Sequence, residues 1–85
     1  MNAIHVRFFA SLREQIGRDR IDVASNDVAD LESLWRRLEL ELAPDAIAAL
    51  RTRGIRIAVN QELIEHNATL TSGDEVAFLP PITGG

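Results

Sequence analysis

The residues best suited to chemistry in this sequence form its last segment. That segment consists of Pro80, Pro81, Ile82, Thr83, Gly84 and Gly85. Because proline fixes φ near about −65° and lacks a backbone donor, the chain must leave any preceding strand here and continue as a stiff, extended spacer. At about 3.3–3.6 Å per extended residue, such a segment reaches roughly 20 Å, which is enough to enter a deep pocket on another protein.

The final glycines give this segment a slim end with one reactive group. Gly84 and Gly85 have no side chain, and glycine can adopt φ values closed to other residues, so these two residues could pass through a narrow channel. The group delivered by such a tail would be the α-carboxylate of Gly85. A carboxylate is a poor electrophile, so we expect acyl chemistry at Gly85 to require activation, by adenylation with ATP on a separate enzyme. A bare terminal Gly-Gly is often a frayed end, but a double proline after a predicted strand favours a functional tail.

Length and composition predict one small cytoplasmic domain. The chain has 85 residues, of which 46% are hydrophobic and 26% charged, a balance typical of folded globular proteins. Its apolar runs are short and its first residues lack a basic segment followed by an apolar stretch, so we expect neither a transmembrane helix nor a signal peptide. The formal charge of −4 argues against nucleic acid as the main partner and favours a basic protein surface.

The sequence contains no obvious set of residues for catalysis by this chain alone. There are no cysteines, which excludes disulfides, thiolate metal ligands and a cysteine nucleophile in this sequence. The two histidines, His5 and His66, are far apart in the sequence, which disfavours a zinc site. All 9 basic residues are arginine, so an activated C-terminus could not attach to a lysine of its own chain. We therefore expect no metal and no cofactor bound by this chain.

Hydrophobic periodicity predicts five strands and one long helix. The predicted strands cover residues 3–9, 20–24, 55–60, 63–64 and 75–79. A short helical connection is predicted over residues 11–17, and a short helical turn over 45–50. The long helix is expected to begin at Asp27 as N-cap, with Asp30 completing a variant of the capping box, and to end before Pro44.

This order of elements is typical of an α+β protein with the β-grasp fold, in which a mixed sheet packs on one long helix. We predict a domain over residues 1–79 and an extended tail over residues 80–85. The first and last strands of such a sheet are central parallel neighbours. Phe9 and Leu79 should then lie side by side on the face away from the helix, with Ala58 and Ala77 near them. We interpret these four residues as an uncovered apolar patch for partner docking.

Three stretches of the sequence resemble one known family. They are Val6-Arg7-Phe8-Phe9-Ala10 with Leu12-Arg13-Glu14, Ala58-Val59-Asn60-Gln61, and the whole of residues 73–85. In these motifs the chain resembles the molybdopterin synthase small subunits, members of the ubiquitin-like sulfur-carrier family that also includes the thiamin sulfur carriers. The resemblance spans the whole chain. Leu79 stands where the family often has a second phenylalanine before the prolines.

The resemblance implies a reaction cycle on Gly85. An adenylating enzyme would activate its carboxylate with ATP, a sulfurtransferase would supply sulfur, and a C-terminal thiocarboxylate would form. The tail would then enter the large subunit of a heterotetrameric synthase and donate sulfur to a pyranopterin precursor of the molybdenum cofactor. Two alternatives remain open, namely a sulfur carrier for thiamin or cysteine synthesis and a ubiquitin-like modifier conjugated to lysines.

Overall fold

Residues 2–81 are described by a computed structural model, and in this range the chain forms a five-stranded sheet and three helices. The strands are β1 Ala3–Phe8, β2 Arg20–Ala24, β3 Arg56–Val59, β4 Glu62–Ile64 and β5 Glu75–Leu79. The helices are α1 Ser11–Ile16, α2 Leu31–Glu41 and α3 Pro44–Leu50. The elements thus follow the predicted order, and α2 is the longest of the helices.

The sheet has the strand order β2-β1-β5-β3-β4. β1 and β5 are parallel neighbours in its centre, with Val6 opposite Val76 and Phe8 opposite Phe78. The other neighbouring strands pair antiparallel. The predicted central pair of first and last strands is therefore confirmed. Because β5 is bordered on both sides, the chain that follows it leaves from the middle of the sheet.

The hydrophobic core lies between the sheet and the helices. Its strand residues alternate along β1 and β5, as the period of two requires, and its helix residues recur at the spacing of one helical face. The largest fully buried side chains include Ile4, Val6, Phe8, Leu12, Leu34, Leu38, Leu50, Val76 and Phe78. Trp35 is half-buried and meets the ring of Phe78 edge-on, with centroids 5.4 Å apart. Burial of each such side chain stabilises the fold by about 1.5–3 kcal/mol.

The start of α2 differs from the prediction. Its N-cap is Asp30, whose side chain accepts a hydrogen bond from the Ser33 backbone N–H at 2.9 Å, and Ser33 Oγ accepts one from the Asp30 N–H at 3.1 Å. Asp27, the predicted N-cap, precedes the helix with a positive φ of 66°. Asn67 also donates to the Asp30 carboxylate, at 3.1 Å. This contact comes from a distant loop, which local sequence does not reveal.

Pro44 does more than interrupt the helical pattern. α2 ends at Glu41 with Leu42 as its C-cap, and Pro44 is the first residue of α3. Proline suits that position because its missing N–H would be unpaired in any case and its φ is already helical. The residue predicted to stop one helix therefore also begins the next.

We expect the Asp30 cap to make stability depend on pH in the acid range. Hydrogen bonds from the Ser33 backbone N–H, the Ser33 hydroxyl and the Asn67 amide lower the pKa of Asp30 to about 2 from 3.8. Since the folded-state pKa is the lower one, the ionised carboxylate stabilises the fold above the unfolded-state pKa, and this contribution is lost as the pH falls toward the folded-state value. Asp30→Asn should therefore lower the melting temperature at neutral pH, and its difference from the parent chain should shrink on acidification.

Melting curves followed by circular dichroism, from neutral pH down through the pKa of Asp30, measure this difference. Asp27→Asn is the matched control, because this carboxylate lies outside the capping box. The control should show no comparable dependence on pH. A difference between Asp30→Asn and the parent chain that is constant over the whole range would contradict the assignment.

Candidate functional site

The described part of the tail leaves from the central strand of the sheet. β5 ends at Leu79, and Pro80 and Pro81 follow it. Because proline has no N–H to donate, the ladder with both neighbouring strands cannot continue through these residues. The amide of Phe9 donates to the carbonyl oxygen of Phe78 at 3.3 Å, which joins the end of β1 to the end of β5. Phe9 is thereby placed beside the point where the tail begins.

The four residues of the predicted patch lie on the sheet face away from the helices. Ala77 is opposite Ala58 on one side and opposite Arg7 on the other, so the three side chains share a face. Leu79 and Phe9 each come two residues after a member of this group, and the strand period of two directs them to the same side. The sheet therefore brings the predicted patch residues together from three strands.

The predicted exposure of this patch is wrong for its two alanines. Ala77 is only 6% exposed and Ala58 only 4%, whereas Phe9 and Leu79 are half-buried. The two methyl groups lie side by side between the longer side chains of Arg7 and Leu63 and keep little accessible surface, which accounts for the difference. Leu63 on β4 is 50% exposed and lies opposite Ala58, so it adds apolar surface that the prediction did not include. The alanines thus form a flat floor, and the larger side chains supply the accessible area.

The position of Leu63 could have been found from the β3–β4 turn. Asn60 and Gln61 form a two-residue turn, with φ values of 51° and 71°. Two consecutive positive φ values are typical of the turn that matches the twist of a tight hairpin, and such a turn fixes the register of its strands. With this register, Leu63 must lie opposite Ala58 on the patch face.

A shallow, mainly apolar groove adjoins the tail. Its apolar lining comes from the end of β1, the segment before β3, strand β4 and the start of the tail, and includes Phe9, Ile55, Leu63, Leu79, Pro80 and Pro81. Arg56 adds a cationic group to this lining. Contiguous apolar surface of this kind is typical of a protein-binding site. The groove is suited to an apolar partner surface that has an acidic group near its edge.

Gly54 contacts the tail and was not identified from the sequence. It has a φ of 91°, and a Cβ at this position would lie 3.2 Å from Cβ and 3.3 Å from Cγ of Pro81. The ring of Pro81 therefore packs over the bare Cα of Gly54. The sequence does offer a hint, since a glycine directly before a predicted strand often marks a close approach of another part of the backbone.

Charged side chains occupy the other end of the patch face. His5 Nδ1 is 2.8 Å from the carboxylate of Asp22, and this hydrogen bond lowers the pKa of Asp22 below its usual range. Arg7 lies 3.6 Å from Glu75 and 4.9 Å from the ring centroid of Phe9. Exposed pairs of this kind contribute little to stability, because water and dissolved salt screen their charges. The face is thus charged near the start of β1 and apolar where the tail departs.

The arginines Arg51, Arg53 and Arg56 form a basic cluster in the sequence, and the fold divides them between two surfaces. Arg51 pairs with Glu39 at 2.9 Å and its guanidinium lies 4.5 Å above the ring centroid of Trp35. These contacts attach Arg51 to α2. Arg56 borders the apolar groove, and Arg53 is exposed. Arg56 is therefore the member of the cluster placed to meet a partner at the base of the tail.

Within the described residues, the candidate site consists of an apolar groove and the first part of the tail. Within residues 2–81, no group of three histidine, aspartate or glutamate side chains is placed to hold a metal ion. In the same range, no helix combines the length and apolar character needed to cross a membrane. The predicted reacting residue, Gly85, and the predicted threading residues Ile82, Thr83 and Gly84 lie outside the described residues.

Comparison with solved structures identifies the fold. SAMP1 from Haloferax volcanii superimposes with a TM-score of 0.80 at 22% identity, covering 98% of this chain and 99% of that chain. A second similar structure is a complex of subunits 1 and 2 of the molybdopterin-converting factor from Helicobacter pylori 26695. The matching chain of that complex superimposes with a TM-score of 0.67 at 30% identity, and the match covers 98% of this chain and 99% of that chain. The predicted ubiquitin-like β-grasp class is confirmed.

Comparison of sequences identifies the family. The molybdopterin synthase sulfur carrier subunit of Escherichia coli (strain K12) is 43% identical, over 96% of this chain and 99% of the relative. The protein of the same name from Haemophilus influenzae is 38% identical over the same shares of the two chains. The ThiS family model matches residues 6–85, so the match includes the tail. The chain therefore belongs to the ThiS family, and its curated relatives include molybdopterin synthase sulfur carrier subunits.

Proposed function

We propose that this chain is the sulfur carrier subunit of a molybdopterin synthase. The observation that supports this most strongly is that the family match runs through the tail to residue 85, among relatives named for this activity. The described site agrees with it, because the tail leaves a central strand beside an apolar groove. A carrier needs these two features, a projecting end that holds the cargo and a surface that docks it.

The proposed chemistry takes place at the carboxylate of Gly85. A separate ATP-dependent enzyme joins a carboxylate oxygen to the phosphorus of AMP and releases pyrophosphate. A thiol reductant releases hydrosulfide from the persulfide of a sulfurtransferase, and this hydrosulfide attacks the activated carbonyl, displaces AMP and loses its proton, which leaves a thiocarboxylate. Transfer of that sulfur to a pyranopterin precursor, with water supplying the replacing oxygen, returns Gly85 to a carboxylate. ATP is used by the activating enzyme, and this chain contributes only its C-terminal carboxylate to these reactions.

The large synthase subunit is the proposed docking partner. The Helicobacter pylori structure supports this pairing, since it is a complex of subunits 1 and 2 of a molybdopterin-converting factor. On this chain, Phe9 and Leu79 would supply the apolar contacts, and Ala58 and Ala77 would form the floor beneath them. The formal charge of −4 favours a partner surface that is basic overall, and Arg56 favours an acidic group opposite the groove. We expect a heterotetramer that forms in the cytoplasm, where ATP is available.

The tail would reach the active site of the large subunit by threading. Pro80 and Pro81 would provide a stiff, extended spacer, because polyproline is already extended before binding. Ile82, Thr83 and Gly84 would follow and place Gly85 at the precursor. A tail ordered in advance loses less conformational entropy on binding than a flexible peptide, for which ordering costs about 1–2 kcal/mol per residue.

The direct test is to mix the purified chain with a large synthase subunit and to follow complex formation by calorimetry and size-exclusion chromatography. We expect a stable complex, and sulfur transfer to the precursor after the chain has been charged. A thiamin or cysteine pathway would be indicated instead if the charged chain passed sulfur to those systems and ignored the large subunit. Lysine-linked adducts in cell extract, without complex formation, would indicate a protein modifier.

A further inference from the structure

We propose that Gly54 is a positioning residue for the tail. By leaving room for the ring of Pro81, it holds the start of the tail against the segment before β3 and fixes the direction in which the chain leaves the domain at Pro81. Gly54 contributes no reacting group and acts only through Pro81. The consequence of this contact for delivery of the tail rests on the proposed function, whereas the contact itself is independent of it.

The register of the sheet brings these two residues together. β3 and β5 are antiparallel, with Arg56 opposite Leu79 at the end of the ladder. Continuing the same register by two residues on each strand places Gly54 opposite Pro81. Hydrogen bonding cannot continue there, because proline has no N–H. Packing of the Pro81 ring on Gly54 therefore takes the place of the ladder at the point where the tail begins.

The contact is close enough that a side chain at Gly54 would displace Pro81. The distances from a Cβ at this position would be 3.2 Å, 3.3 Å and 3.8 Å to Cβ, Cγ and Cδ of the Pro81 ring. The first two are shorter than an ordinary van der Waals contact, so the ring would have to move by a few tenths of an ångström. Because the ring is covalently part of the backbone at Pro81, its displacement also shifts the start of the chain that follows.

The segment that contains Gly54 is fixed to the rest of the domain. The amide of Ile55 donates to the carbonyl of Thr52 at 3.2 Å, and Ile55 packs against the core. Thr52 in turn is bonded to the last turn of α3, through its amide to Ala49 at 3.3 Å and its hydroxyl to Ala48 at 3.1 Å. Gly54 is therefore presented by a supported loop, and Pro81 rests on a fixed surface.

A second glycine provides a matched control. Gly54 and Gly73 have nearly equal positive φ values, 91° and 93°, so alanine is strained to a similar degree at both. A Cβ on Gly73 would have no heavy atom within 4 Å, whereas one on Gly54 would meet Pro81. Comparison of Gly54→Ala with Gly73→Ala therefore separates the backbone strain, which both share, from the contact with the tail.

Three results are expected. Both variants should lose similar thermal stability. Only Gly54→Ala should weaken the complex with the large subunit, by about tenfold, which corresponds to ordering roughly one additional residue on binding. The rate of sulfur transfer at saturating large subunit should stay within about twofold of the parent chain, since the change affects delivery and not the reacting carbonyl.

A double variant and a measurement on the free chain complete the test. On a Pro81→Gly background, Gly54→Ala should weaken binding no further, because both the ring and the Cβ that the new methyl group would meet are absent. Nuclear Overhauser contacts between the Gly54 α-protons and the Pro81 ring should be seen in the parent chain and in Gly73→Ala.

Equal losses of affinity in both glycine variants, additive losses in the double variant, or absent contacts in the parent chain would each overturn the proposal. If the parent chain does not bind the large subunit, the proposed function fails, and the Overhauser contacts alone decide whether Gly54 seats Pro81.

Discussion

A chain that lacks Gly85, or that has one additional residue after it, is expected to fold as before and to transfer no detectable sulfur. Either change moves the terminal carbonyl along the tail by about 3.3–3.6 Å. Misplacement of a reacting group by even about 1 Å can cost a factor of roughly one hundred in rate. The core, built from β1, β5 and α2, lies at the other side of Pro80 and should not be affected.

Complementation of cells that lack the carrier measures this effect, with melting temperature as the check on folding. The matched control is an extended chain whose added segment can be removed by a protease back to Gly85. Activity should return on cleavage, because the change restores the terminus and nothing else. Cofactor synthesis supported by an uncleaved extension would show that the terminal carboxylate is not the reacting group.

Leu79→Asp is expected to weaken the complex with the large subunit by about 2–4 kcal/mol, the range of residues that dominate interfaces. Leu79 is half-buried at the groove beside the tail, so the variant places a charge where apolar surface is expected to meet the partner. Phe9→Asp should act in the same way. Both residues lie where central strands end, on the sheet face away from the core, so their effect on unfolding should be smaller than their effect on binding.

Leu40→Asp is the matched control for this prediction. Leu40 is 83% exposed on α2, in the helix layer on the opposite side of the sheet. The same chemical change is made there on a surface that the proposal does not use, so affinity for the large subunit should be unchanged. Calorimetric titrations measure the affinity of the three variants for the large subunit, and melting curves measure their stability. Large and equal losses of stability in Leu79→Asp and Phe9→Asp would show that both side chains are structural.

The strands could be predicted because they are determined by local sequence patterns, namely apolar alternation and the turn residues that bound it. β5 was expected at residues 75–79 and is observed at Glu75–Leu79, since its apolar alternation is bounded by a glycine turn and a double proline. β1 followed from the alternation of Ile4, Val6 and Phe8, all of which are buried. The parallel pairing of these two strands followed from the order of the elements, which is typical of the β-grasp fold, where the first and last strands are central parallel neighbours.

The start of α2 was misplaced because two aspartates offered plausible caps. Asp27 and Asp30 each precede part of the apolar helical pattern, and the sequence alone does not choose between them. The choice in favour of Asp30 is stabilised by Asn67 and by a hydrogen bond from the Leu31 amide to the carbonyl of Ala68 at 2.9 Å. Both contacts are tertiary, and local periodicity contains no information about them.

The main residues of the candidate site were predicted, but the exposure and packing of its members were not. As at the start of α2, those features depend on tertiary contacts. Its members Phe9 and Leu79 follow from strand alternation and the β-grasp topology. The low exposure of Ala58 and Ala77 depends on neighbouring side chains across the sheet, and the seat of Pro81 on Gly54 depends on the register between β3 and β5. These features require knowledge of which strands are neighbours and how they are aligned.

The central claim, that Gly85 is the site of sulfur attachment, is tested most directly by the intact mass of the chain isolated from cells that make the molybdenum cofactor. We expect a species in which one oxygen is replaced by sulfur, and fragmentation should assign that replacement to the residue at the C-terminus. Cells without the activating enzyme should contain only the unmodified chain. Absence of the sulfur-containing species from cofactor-producing cells, or sulfur on any other residue, would contradict the assignment of Gly85.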